Sequence, residues 1–270
     1  MNPESKIFSS HKLFLPAYLI LTSLIILLPV FYNGYPLFYS DSAVYILASN
    51  LFGALIKTED FPYLSGIGYA LFIRIVAWQA SLYLVVLAQA FILNLLIYHS
   101  LKVLLPVKKI IHFHLPISIV LSICSSMGWT TSQLMPDIFT SYLVLSVFLF
   151  YSWDKKSWAT YIFLSIIIIF SILSHLTNIT ISVLIIGLLF LLFLIKRSYR
   201  KDLMIFIKKT VIVVALIFTS LLILIGLNNK YYNFKGLSPT SNIFFIARLM
   251  DTGFMLEFLN EKCPEKSYEM

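Results

Sequence analysis

Long apolar runs separated by short polar or basic clusters recur along the 270-residue chain. About seven of them approach the roughly 20 residues with which a helix crosses some 30 Å of hydrocarbon, where an unpaired backbone amide costs several kcal/mol. They lie at about Leu13 to Tyr32, Leu82 to Leu105, Ile110 to Trp129, Ile138 to Trp153, Trp158 to Leu176, Ile179 to Ile195 and Val211 to Leu227. The pattern predicts an all-α, polytopic transmembrane helix bundle of about seven spans. Thr177 and Asn178 alone separate the fifth run from the sixth, which predicts a tight hairpin at the membrane surface. The first run follows Lys6, His11 and Lys12 in the manner of a secretory signal. Asn33-Gly34-Tyr35-Pro36 comes after it with no small-x-small cleavage pattern, so it counts as a span.

Two polar stretches are too long to be turns, Asn33 to about Ser81 and Asn228 to the end. They divide the chain into a bundle over 1–227, carrying the loop 33–81, and a C-terminal segment over 228–270. In the loop, Ser40 or Asp41 can cap a helix in which Val44, Leu47, Ala48, Leu51 and Leu55 recur at helical spacing, an interfacial helix along the membrane surface. Gly53 and Lys57-Thr58-Glu59-Asp60 end it, and a second apolar stretch from Gly66 to Trp78 leads toward the next span. In the C-terminal segment, Ser238-Pro239 is expected to open a helix running through Phe244, Ile246, Leu249 and Met250.

Composition agrees with lipid as the solvent: 60% of residues are hydrophobic and 12% charged, far from soluble averages. The formal charge of +8 is spread in short clusters between apolar runs, so it marks topology and not a nucleic-acid-binding face. With the N-terminus in the cytoplasm, the inner segments hold Lys6, Lys12, Lys102, Lys108, Lys109, Lys155, Lys156, Lys196, Arg197, Arg200, Lys201, Lys208 and Lys209, which is 13 of the 20 basic residues. Of the 12 acidic residues they hold three, Glu4, Asp154 and Asp202. Positive charge marks the cytoplasmic side, so both long stretches are expected on the outer face. Cys124 and Cys263 form neither a disulfide framework nor metal-ligand spacing.

Chemistry is expected where ionisable groups collect on that outer side. Asp41, with Tyr45 one helical turn further on and able to face the same way, is a candidate proton acceptor or a helix cap. Glu59 and Asp60, followed by Pro62 and Tyr63, form a second acidic element; paired carboxylates bind a divalent cation such as Mg or Mn, or are simply solvated. Asp137, at the mouth of the fourth span, faces a cavity or favours the positive end of a helix. His175 is a proton relay, a phosphate contact or an interfacial histidine. Arg74 and Arg248 are the outer arginines, matched to phosphate or snorkelling to headgroups. His112 and His114, two residues apart, splay on a helix, which argues against a metal site. There is no Walker loop, GxGxxG, GxSxG or HExxH, and no pair of broken spans in corresponding halves.

In order, Tyr39-Ser40-Asp41, Glu59-Asp60-Phe61-Pro62-Tyr63 and Met135-Pro136-Asp137 resemble the N-terminal half of a GT-C type glycosyltransferase. That polytopic class includes the protein mannosyltransferases and the aminoarabinose transferase of lipid A. The stretches Phe61-Pro62 through Phe72, Leu134 to Phe139, Ser174-His175-Leu176 and Ala247-Arg248-Leu249 to Cys263-Pro264 look like a bacterial group within it. The resemblance implies a sugar donor on a polyprenyl phosphate, transfer to a glycan, lipid or protein acceptor on the outer face of a bacterial inner membrane, and no nucleic-acid partner. It implies Asp41 as the catalytic base or an acceptor-orienting group, with Tyr45, Glu59, Asp60, Tyr63, Arg74, Asp137, His175 and Arg248 around substrate and donor phosphate. Any metal would sit on Asp41, Glu59 and Asp60. Where relatives often have Arg-Pro this chain has Phe61-Pro62, which removes an expected phosphate-binding cation. The class also carries more spans and a folded C-terminal domain, so the chain is expected to be a piece of a longer protein or a truncated one. A transporter or flippase, or a binder of lipid-linked sugar without turnover, is the alternative.

Overall fold

The computed structural model describes residues 3–52, 66–78, 80–105, 110–152, 157–195 and 203–262, without the side chains of 3–13, Ser241 and Phe244. Every regular element among them is an α-helix. The first seven are α1 (Pro3–Ile26), α2 (Leu28–Asn33), α3 (Ser42–Leu51), α4 (Ile67–Ala77), α5 (Leu82–Leu104), α6 (Ile111–Cys124) and α7 (Met127–Ser132). Six more follow: α8 (Ile138–Ser152), α9 (Trp158–Ser174), α10 (Thr177–Ile195), α11 (Leu203–Tyr232), α12 (Ser241–Asp251) and α13 (Phe254–Lys262).

Helix ends follow local chemistry. Pro29 lacks an N–H and its ring obstructs the preceding turn, so the first apolar run breaks at Leu27 and restarts as α2. Ser81 and Ser157 cap α5 and α9, their hydroxyls accepting from the Tyr83 and Thr160 amides at 3.3 and 3.2 Å. Gly34 closes α2 at φ 74°, a region that costs glycine nothing. Trp78 closes α4 at φ 46°, where a β-carbon is crowded.

Three helices, α5, α10 and α11, are long and apolar enough to cross a membrane. They differ in setting. The most apolar window of α5 is 61% buried, against 17% in α10 and in α11. α5 is the central post, packed on α1, α4 and α8, whereas α9 joins α8, α4 and α11. The outer faces of α10 and α11 leave side chains such as Leu184, Leu188, Leu191, Phe218 and Leu222 uncovered, as a lipid-facing helix does. The chain thus has the character of a membrane protein.

Three boundaries differ from the sequence reading. The turn between α9 and α10 falls at His175 and Leu176, and Thr177 and Asn178 already belong to α10. Asn178 turns inward, donating to the Ser171 carbonyl at 2.7 Å and accepting from Thr140 at 2.9 Å, which fixes it to α9 and α8. The expected Ile110 to Trp129 span is two helices, broken at Ser125–Ser126. The helix expected after Ser238-Pro239 starts at Ser241, with Thr240 before it. The apolar stretch from Gly66 to Trp78 forms α4 and is an inward one: seven of its 11 residues are buried, Tyr69 and Ala70 completely.

Gly66 and Gly68 make that burial possible. A β-carbon on Gly66 would fall inside the Ser174 carbonyl, and one on Gly68 inside Leu173, so glycine alone lets the start of α4 abut the end of α9. On its other side Tyr69 meets Tyr45 edge-on at 5.3 Å and Phe139 at 6.0 Å, and Phe139 in turn meets Phe72 and Tyr142 at 5.1 Å.

Candidate functional site

Most polar groups inside this bundle fall into closed networks. Gln89 of α5 accepts from the Tyr69 hydroxyl at 2.7 Å and donates to the Thr131 and Gln133 carbonyls at 2.8 and 2.9 Å. Tyr142 donates to the Gln89 carbonyl at 2.6 Å. Beside it Leu37 and Gln133 form an isolated bridge, Leu37 N–H donating to Ser132 and Leu134 N–H to Leu37. Deeper along α5, the Asn94 amide donates to Leu19, Thr22 and Ser23 of α1 and accepts from Ser118 of α6. His114 joins this cluster through the Tyr18 hydroxyl at 2.8 Å and the Asn94 carbonyl at 3.3 Å. Such groups fasten helices together where water is absent.

The Ser146 and Ser174 hydroxyls are buried without a partner among the described residues, and so is part of one charged group, Arg74, the one charged residue of α4, set in its last turn where the helix dipole favours a cation. It is half-buried, and its Nη1 is buried with no hydrogen-bond partner among the described residues. Arg74 lines a cavity of about 300 Å³ between α3, α4 and the start of α5. Ser49, Asn50, Ser81, Tyr35 and Tyr83 give the cavity polar walls. Most of these are already engaged: Ser49 donates to Ile46 at 2.7 Å, Ser81 caps α5, and Tyr83 donates to the Gly34 carbonyl at 2.6 Å. The guanidinium and the amino end of a 23-residue helix therefore share one cavity, and both favour an anion. A phosphate fits this set because a guanidinium offers a planar fork of donors to its oxygens.

A second cavity, of about 520 Å³, is a groove between α5, α6, α7 and α8 with Asp137 at its rim. The Asp137 charge also reaches the interior: burial pushes the Tyr69 hydroxyl well above the usual phenol range, with Tyr45 and then Asp137 adding to the effect.

The expected site residues are thus distributed. Asp41 stands just before α3, exposed, and does not cap it by its side chain; the Ser40 hydroxyl donates to its carboxylate at 3.2 Å. Tyr45 does not share its exposure. It is turned inward, 3% exposed, because its ring fills the space above Tyr69. Arg74 and Asp137 line different cavities, and Asp41 and His175 are not among the residues lining either. His175, half-buried in the α9–α10 turn, holds the Thr177 hydroxyl at 2.6 Å through Nδ1. Arg248 is exposed on α12. Glu59, Asp60 and Tyr63 lie outside the described residues. No cluster of three or more metal-ligating side chains occurs among the described residues. His112 is exposed and His114 buried, so the two do splay apart.

Sequence reasoning passed over Gln89, Asn94 and the Gly66-Gly68 pair. The signal for the first two was present, since an amide within an apolar run of this length must find a partner in the bundle. No family model, curated protein or solved structure matches the chain.

Proposed function

We propose that the protein is a membrane transferase that takes a sugar from a polyprenyl-phosphate donor at the outer face, with the Arg74 cavity receiving the donor's phosphate. One observation carries the reading: a half-buried guanidinium with a buried nitrogen that has no partner among the described residues, beside the amino end of α5. Phe61-Pro62 lacks the cation that relatives often place there, and Arg74 supplies one from the following helix.

In this reading the chain crosses the bilayer about seven times, with its basic clusters inside. Contacts between chain ends support that topology. Segments assigned to the outer face by charge meet one another, as Tyr83 with Gly34, Leu37 with Gln133 and Gly66 with Ser174. Segments assigned to the inner face do likewise, Lys209 donating to the Tyr151 carbonyl at 2.7 Å and Tyr151 to Thr210 at 2.8 Å.

The chemistry is a displacement at the anomeric carbon. An acceptor hydroxyl oxygen bonds to that carbon, the bond to the phosphate oxygen breaks, and polyprenyl phosphate departs with the electron pair. Arg74 stabilises the charge gathering on the departing phosphate. Asp41, exposed to solvent, takes the hydroxyl proton.

Transfer from a panel of polyprenyl-phosphate hexoses and pentoses, by the full chain in proteoliposomes, tests this. Arg74→Gln is expected to lower transfer by roughly 100-fold, the size of losing one donor to transition-state charge, and Arg74→Lys by less. Unchanged transfer in Arg74→Gln would remove the cavity from the reaction, and unchanged transfer in Asp41→Asn would remove Asp41. A second reading, binding of a lipid-linked phosphate without turnover, is favoured by Asp41 lying outside the lining of the Arg74 cavity. Arg74-dependent binding with no transfer by any donor would select it.

A further inference from the structure

The groove beside α8 is built for an amphiphile, and of the opposite sign to the Arg74 cavity. Its walls divide by polarity. Leu93 and Ile97 of α5, Leu121 of α6 and Val144 of α8 form an apolar trough, with Leu121 and Val144 partly uncovered so that it is open along its side. Hydroxyls and one carboxylate gather around the ends of α6, α7 and α8, at Ser125, Ser126, Thr130, Asp137 and Thr140. Several of those hydroxyls already donate to the protein, two within their own turn and one to α10. Ser125 donates to Leu121, Thr130 to Ser126 at 3.0 Å, and Thr140 to Asn178 at 2.9 Å. What they leave for a newcomer is acceptor capacity, and Asp137 as a carboxylate only accepts. No cation is among the described residues that line the groove.

We infer that this groove binds a membrane lipid whose head group donates hydrogen bonds and carries no net negative charge, its tail along the trough and its head at Asp137. A phosphate headed there would meet a carboxylate and no cation, so the donor is excluded by charge while an alcohol or ammonium head is matched. As the acceptor side of the transfer, the assignment rests on the function proposed above; the binding itself does not. The molecule then separates its two substrates by sign, the anionic one at Arg74 and the donating one at Asp137.

The full chain in phosphatidylcholine nanodiscs is photolabelled with three probes sharing one diazirine-bearing alkyl tail, with hydroxyl, ammonium or phosphate heads, and the labelled peptides are identified by mass spectrometry. The hydroxyl or the ammonium probe is expected to label residues 121–145 at least roughly fivefold more than the phosphate probe. The stronger of the two tells an alcohol from an amine head group. Val144→Trp, which fills the trough, is expected to lower that labelling by roughly fivefold, and Asp137→Asn to erase the preference over phosphate. Should Val144→Trp fail to fold, Leu121→Trp blocks the facing wall. Equal labelling by all three heads, or labelling indifferent to both tryptophan variants, overturns the inference. Loss of groove labelling with Arg74-dependent transfer intact sinks this assignment alone, and the converse sinks the transferase reading alone.

Discussion

Gln89 on α5 and Arg74 on α4 sit in neighbouring helices near the same end of the bundle and are treated in opposite ways. The Gln89 amide is completely buried and saturated, one oxygen and one nitrogen serving a tyrosine and two carbonyls from three other segments. Arg74 is larger, charged and half-buried, yet its Nη1 meets no described partner. Desolvating a charged donor without a partner is unfavourable by several kcal/mol, more than leaving a neutral amide unpaired. Satisfying Gln89 so fully while giving the Arg74 Nη1 no partner among the described residues separates two uses of polarity: one fastens helices, and the other, in the proposed function, receives an anion.

That contrast can be broken by substitution, in order of expected effect. Gln89→Leu keeps the volume and removes both amide functions, which strands the Tyr69 hydroxyl and the carbonyls of Thr131 and Gln133. A loss of about 3 kcal/mol is expected from these orphaned groups, read as a lower midpoint of thermal unfolding in detergent. A wild-type midpoint would mean that the network holds nothing. Gly66→Ala presses a methyl group into the Ser174 carbonyl and should cost about 2 kcal/mol by overpacking. In transfer assays it should also weaken donor use, because α4 carries Arg74; a stable, fully active variant would show that the α4–α9 approach is incidental. Arg74→Met is expected to leave stability unchanged or to raise it, since it deletes a charge that no described group compensates. Strong destabilisation by Arg74→Met would place Arg74 with Gln89, among the groups that fasten the helices.

Much of the helical layout was legible in the sequence where local chemistry decides it. The runs read from Leu82 and from Trp158 start α5 and α9 at those residues, and the apolar stretch from Gly66 to Trp78 is α4 almost to the residue. What could not be read is set by neighbours distant in sequence. Nothing local shows that Gly66 lies against Ser174, or that Tyr45 turns inward to Tyr69 while Asp41 stays in solvent. The break at Leu27 could be anticipated from Pro29, but the break at Ser125–Ser126 has no proline or glycine at it. The site was legible as a choice of residue types and not as an arrangement. Arg74 was singled out by its chemistry, whereas the cavity around it comes from α3 and α5, and Asp137 belongs to a separate groove.

The central claim is that Arg74 holds an anion. Binding of a short-chain polyprenyl phosphate, with the matching polyprenol as the uncharged control, measures it directly by titration calorimetry on wild type and Arg74→Met in one detergent. The wild type is expected to bind the phosphate at least roughly tenfold more tightly than the alcohol, and Arg74→Met to lose that difference while unfolding at no lower a temperature. Equal affinity of the two proteins for the phosphate would contradict the account.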